Sequence, residues 1–435
     1  MLPLAFRLLF PAILCTQSLI AAAAGAPTAL DPLLTFEQPW QMDQDAFQAA
    51  SKGLPFRWTS DQRESARAAD TEMTLLGLPV VEAVARFQGG KLSEITAFFF
   101  ARGDSDGLTP EKFGGLIQSS SDALNRHTKV AFAARGKDAK NAVKADGRVW
   151  QTEAASYVLE YSFTREVKSR GVPFRAEFIR LEVTPPAKAA KLLAPATTSG
   201  RTRFAGATHV KRDAASGDVL IADVPMVDQG QKGYCVVASA ERVMRYYGNP
   251  VDANELAQIA NSDAEGGTSL PAMLGALKKI SARLRVRVRT IQENDLREIL
   301  DLIKDYNRAA KKAGELEIAD PGRMIDVGAV FRQMKPELLK EARLKSKAEF
   351  GKFQRSIQSE IEQGVPLLWT VMLGIIPERG IPQGAGGHMR LIIGFNTKTQ
   401  ELLYSDSWGA GHELKRMPIA DAYAITTGIA TIEPL

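Results

Sequence analysis

The stretch that most constrains this chain is residues 224–248, VPMVDQGQKGYCVVASAERVMRYYG, which places a thiol at the head of an amphipathic helix. Val236, Ala240, Val243, Met244 and Tyr247 form one stripe at helical spacing, and Gly248 supplies the stop. Cys235 stands at the helix start, and Gln229, six residues ahead of it, carries a side-chain amide donor. The positive end of a helix dipole favours a thiolate, so the arrangement suits attack on a carbonyl carbon. A base, and a residue to orient that base, must come from elsewhere in the chain.

Residues 217–435 put helices first and strands last. Helical patterns are expected at 254–261, from a Thr268-Ser269 cap to about 281, at 295–313 with Gly314 as the stop, and around Phe350, Phe353, Ile357 and Ile361. Residues 285–290 alternate as a strand, whereas 321–347 read as a less regular insertion. Residues 366–373 form a continuous apolar run, as for a strand buried on both faces. A loop with five glycines in residues 374–387 follows, then His388 at the start of the strand running to Phe395. The chain turns at 396–400 and returns to Asp406, Ser407, Trp408 and Gly409.

A hairpin of this length brings the end of its second strand back beside the start of its first. Asp406 can therefore reach His388, fix its tautomer and favour the imidazolium, while the strand start exposes the ring at the end of the sheet. Gln229 and the backbone N–H of Cys235 could together form an oxyanion hole. His412 and Gln231 are rivals for the base and the donor. His412 has no strand behind it, and a surface role suits it better. Asp228 reads as a surface charge or a helper, and Trp408 as a packing residue over the His–Asp pair. The glycine-rich loop reads equally as a mobile lid or a plain turn.

A glutamine and a cysteine before a helix, a late histidine opening an apolar strand, and the Ser407-Trp408-Gly409 sequence together resemble the papain-like cysteine peptidases. The Val224-Pro225 lead-in, the Arg245-Tyr246-Tyr247-Gly248 helix end and Gly267-Thr268 before a helix are similar to the bacterial branch that processes bacteriocins at double-glycine sites. The resemblance covers about residues 224–435. It implies a papain-like catalytic domain with Cys235 as nucleophile, His388 as base and acid, Asp406 as orienter and Gln229 as oxyanion donor. Papain has asparagine where this chain has Asp406, and the bacterial branch commonly has aspartate. Val236 departs from the glycine frequent after the nucleophile in that branch, which bears on specificity. The substrate implied is a peptide or protein. A catalytically silent binding protein, or a cell-wall peptide amidase on the same fold, is the alternative.

The remainder of the chain frames this unit. Arg7, an apolar run over residues 8–20 and small residues to Ala26 form a secretory leader, with cleavage near Ala24 and residues 1–24 removed. Cys15 lies within it, so the mature chain keeps one thiol and no internal disulfide. An exported protein, periplasmic or secreted, follows, with no stable membrane insertion after cleavage. Residues 28–190 read as a separate α+β accessory domain with an antiparallel sheet. It has a hairpin turn at Gly89-Gly90 and a helix opened by Thr109-Pro110 that runs to about Lys129. Its lone histidine, His127, fits a helix surface. The unit could be a binding module, a scaffold or an inhibitory pro-region. Residues 191–216 read as a linker, with a possible short strand at 203–210. The formal charge is +5, with scattered basic residues and no recognition motif, which argues against nucleic acid as a partner. No cofactor is called for, and no metal site stands out among four dispersed histidines. The overall expectation is α+β for both units, with the oligomeric state open.

Overall fold

The computed structural model describes residues 26–69, 71–105, 107–135, 143–186, 204–230, 233–249, 251–262, 268–319, 325–378, 381 and 384–435. The leader, Cys15, Gln231, and residues 187–203 of the linker region lie outside them. The chain is α+β, with helices and two large antiparallel sheets.

The first sheet has eight strands. Their spatial order is Arg57–Trp58, Ser65–Ala68, Glu82–Gln88, Lys91–Ala101, Arg175–Thr184, Ser156–Thr164, Asp146–Gln151 and Ala133–Ala134. The Thr109 hydroxyl caps the helix Pro110–Thr128 by accepting from the Lys112 N–H, and Pro110 occupies the first turn, where no backbone donor is needed. Phe113, Ile117 and Leu124 of that helix share a core with Trp150, Tyr157, Leu159 and Leu181 of the sheet. His127 lies on the same helix, edge-on to the Tyr157 ring at 5.6 Å.

The second sheet runs Val210–Arg212, Asp218–Ile221, Gly386–Asn396, Leu367–Leu373, Thr426–Pro434 and Val286–Glu293, with Glu401–Ser405 and then Lys415–Pro418 added beside Gly386–Asn396. Helices cover both faces, which explains the continuous apolar run at 367–373. Leu367, Trp369 and Val371 face one cluster, built with helices 296–313, 327–332, 336–344 and 347–362. Leu368 faces the other, built with helices 235–246, 253–260 and 270–284.

Several sequence readings change here. Residues 321–347 are not an irregular insertion in their described part. They hold the helices Val327–Arg332 and Pro336–Leu344, which bury Phe331, Leu338 and Leu339; each is too short to show a period on its own. The third helix is capped by Ser269 and runs Leu270–Leu284, and the following strand extends from Val286 to Glu293. Helix Ile419–Ile425 and strand Thr426–Pro434 were not anticipated, yet that strand fills the sheet between its neighbours. Val210–Arg212, inside the segment read as a linker, pairs with Asp218–Ile221.

The two sheets meet through buried charge. Arg180, on the first sheet, pairs with Glu160 beside it and reaches Asp252 and Glu255 at the start of helix Ala253–Ala260. Arg135 also pairs with Glu160. Ser162 donates to Gln258 Oε1 at 2.8 Å, and the Gly103 backbone lies so close to the Tyr234 ring that an added Cβ would sit 2.6 Å from it.

Candidate active site

Cys235 opens the helix Cys235–Tyr246, as its amphipathic stripe requires, and is half-buried. The helix packs on strand Gly386–Asn396. On that strand His388 and Arg390 are two residues apart and so share a face. The returning strand pairs Ser405 with Leu391, which leaves Asp406, one residue on, opposite Arg390.

Both Asp406 oxygens are used. His388 Nε2 lies 2.6 Å from Oδ1, which also accepts from the Ser407 N–H at 2.9 Å, and Arg390 Nε donates to Oδ2 at 2.9 Å. With Nε2 on the carboxylate, Nδ1 is the ring nitrogen left for the thiol, an assignment made from the contacts. Cys235 also favours the charged form of the ring. Burial alone would pull the imidazole down, but Asp406 and then Cys235 outweigh it and hold His388 up at about 9. For Asp406 burial again opposes the charge, and His388, Arg390 and the Ser407 N–H overcome it, holding the carboxyl down at about 2. The pair is thus built to hold an imidazolium against a carboxylate.

His388 is 8% exposed, so the ring is not bare at the end of the sheet as its place on the strand suggested. The Trp408 indole covers it, stacked at 4.5 Å between ring centres and 19° between planes. His412 does not reach the carboxylate with its ring. The ring stands edge-on to Trp408 at 5.5 Å, and its backbone carbonyl accepts from the Asp406 N–H at 2.9 Å.

Gln229 arrives at the same corner through Ser407. Its backbone N–H donates to the Ser407 carbonyl at 2.9 Å, and its Oε1 accepts from the Ser407 hydroxyl at 2.6 Å. With Oε1 accepting here, Nε2 is the donating end of the amide. Asp228, the next residue back, is not a bare surface charge; it faces Arg67 of the first sheet at 3.7 Å.

Four supporting residues escaped the sequence reading. Arg390 is fully buried and bridges Asp406 to Glu378, donating to Glu378 Oε1 at 2.9 Å and Oε2 at 3.1 Å. Tyr404 also hydrogen-bonds Glu378. Glu378 belongs to the glycine-rich loop, which is thereby tied to the site. Arg242, two turns along the helix from Cys235, donates from Nε to the Pro225 carbonyl and from Nη1 to the Asp406 carbonyl, each at 2.8 Å, and from Nη2 to Ser405 Oγ at 2.5 Å. Burial pulls this guanidinium down to about 10 against the pull of Asp406. The one available signal was an arginine inside an apolar stretch, Arg390 between Met389 and Leu391.

Residues 221–430 match the family model described as the Peptidase_C39-like family, which leaves the first sheet outside the match. That segment resembles a cysteine peptidase. Among solved structures, one likeness is to xylellain, a cysteine protease from Xylella fastidiosa. Identity is 12%, over 56% of this chain and 95% of that one, with a TM-score of 0.28, too loose a superposition to carry weight for fold or activity. No curated protein matches the chain. Among the described residues no helix is long and apolar enough to cross a membrane.

Proposed function

We propose that this chain is an exported cysteine peptidase that hydrolyses peptide bonds through Cys235, His388 and Asp406, with Gln229 as oxyanion donor. Residues 28–190 are its accessory domain and residues 217–435 its catalytic domain. The observation that carries the reading is His388, held by Asp406 at 2.6 Å, with Cys235 favouring the protonated ring.

The Cys235 thiolate attacks the peptide carbonyl carbon. A C–S bond forms, and the carbonyl π pair moves to oxygen, where the Gln229 amide and the Cys235 N–H receive the charge. As the C–N bond breaks, the His388 imidazolium gives its proton to the departing amine, leaving a thioester. His388, now neutral, takes a proton from water. The resulting attack on the thioester releases the acid and restores the thiolate–imidazolium pair. Asp406 keeps the ring in place throughout and holds its carboxylate form.

His388 sits above the ordinary histidine value, so it stays protonated until the pH climbs through about 9. Two rates should therefore separate on the alkaline side. Alkylation of Cys235 by iodoacetamide needs only the thiolate and should be fast at neutral pH and persist above pH 9. Turnover also needs the imidazolium proton and should fall as pH rises through about 9. A Cys235 that resists iodoacetamide at pH 7, or turnover still rising at pH 10, would sink the reading. For export, mass spectrometry of protein collected outside the cytoplasm should give a chain beginning near Gly25; an intact Met1 would count against it.

A further inference from the structure

We propose that Arg67, which lies in the accessory domain, is a positioning residue for the Gln229 loop. The inference rests on the reading of Gln229 as oxyanion donor. Arg67 stands on strand Ser65–Ala68 and is 9% exposed. Its Nε donates to Glu82 Oε1 at 2.5 Å, which fixes the plane of the guanidinium. Nη1 then lies 3.7 Å from Asp228 Oδ2. The same group presses on Gly230, where an added Cβ would stand 2.7 Å from Nη2. Gly230 has φ +65, a left-handed conformation that glycine adopts without strain, and its N–H donates to Asp228 Oδ1 at 2.9 Å.

Gln229 lies between the two residues that Arg67 touches. The loop around it has no regular structure, so little within the loop itself fixes its backbone. From Gln229 the connection continues through Ser407 to the Asp406 carboxylate. Asp228 is also seated against Gly409, where an added Cβ would be 3.1 Å from Oδ2. Two neighbours on the same side of the accessory domain add to the clamp. The Met226 N–H lies beside the Glu64 carboxylate, and the Asp61 N–H donates to Glu413 Oε1 at 2.7 Å. The accessory domain thus acts as scaffold for the donor loop, and a chain that shed it would lose that support.

A donor must be held within about 0.5 Å of its productive place, and a displacement of about 1 Å can cost on the order of 100-fold. The test uses the full mature chain with Arg67→Ala, Arg67→Lys and Asp228→Asn. Asp228→Asn keeps the acceptor for Gly230 and removes only the charge, so it serves if Arg67→Ala folds poorly. The expected result is kcat lower by roughly 10- to 100-fold in Arg67→Ala, KM little changed, partial recovery in Arg67→Lys, and iodoacetamide labelling of Cys235 at the wild-type rate. Amide hydrogen exchange at residues 226–230 should rise in Arg67→Ala. Unchanged exchange there, or unchanged kcat, overturns the proposal. So does a labelling rate that falls in step with kcat, since the damage would then lie in the Cys–His pair. Wild-type protein with no turnover, alongside raised exchange in Arg67→Ala, would instead remove the peptidase reading and leave the positioning role standing.

Discussion

Cys235→Ala is expected to abolish peptide hydrolysis, with a loss on the order of 10⁴-fold or more, while the fold stays in place. The chemistry sets the size. Without sulfur no thioester forms, and His388 is left holding a proton that no covalent intermediate needs. What remains is stabilisation of charge by backbone and amide donors, which is modest alone. The substitution is structurally mild. Cys235 is half-buried at the first position of its helix, Tyr234 offers no side-chain cap to disturb, and alanine suits a helix. Circular dichroism should match wild type. Turnover within a few-fold of wild type in this variant would rule out the mechanism, whatever the family match.

Arg180→Met should give the largest loss of stability, about 3–5 kcal/mol. Arg180 is 6% exposed, and the carboxylates around it, Glu160, Asp252 and Glu255, are each at most 7% exposed. Methionine fills much of the space but leaves those carboxylates with one buried cation fewer. Asp252 has a second task. Its Oδ1 accepts from the Asn254 and Glu255 N–H groups at 2.8 and 3.0 Å, so it caps the helix that follows the Cys235 helix. Two of the three carboxylates come from the start of helix Ala253–Ala260 and one from the first sheet, so the damage falls where the two meet. Urea unfolding should therefore move to lower denaturant and separate into two transitions. A midpoint equal to wild type would show that the cluster contributes no net stability.

Much of the site was legible because its chemistry needs few residue types. With one cysteine outside the expected leader, the search for a base began from a single point, and His388 and Asp406 stood at the two ends of one readable hairpin. The supporting groups were hidden for a physical reason. Arg390 looks like the outward residue of an alternating strand, yet this strand is covered on both faces, so no side chain on it points to water. Arg242 sits on a helix whose stripe explains the apolar residues and says nothing of a charged one between them. Short helices such as Val327–Arg332 carry too few residues for a period to show. The contact between Arg67 and Asp228 joins positions 161 residues apart, and no local pattern encodes a pairing of that kind. In the first sheet, strand patterns at 79–87, 149–152 and 174–183 were visible, but their order across the sheet was not.

The ends of the two sheets have a further consequence. The outermost strands of the first sheet, Arg57–Trp58 and Ala133–Ala134, are two residues long. In the second, the short outer strands Val210–Arg212 and Lys415–Pro418 carry Lys211, Arg212, Lys415 and Arg416, and the latter closes on a proline. The one long outer strand, Val286–Glu293, alternates Arg287 and Arg289 along its length and ties them to Glu433. Unpaired backbone at a sheet margin is a template for fibril growth, and short, basic or proline-ended margins are the usual guard. Short margins, ion-paired side chains along them and a closing proline leave little regular unpaired backbone for a second copy to extend.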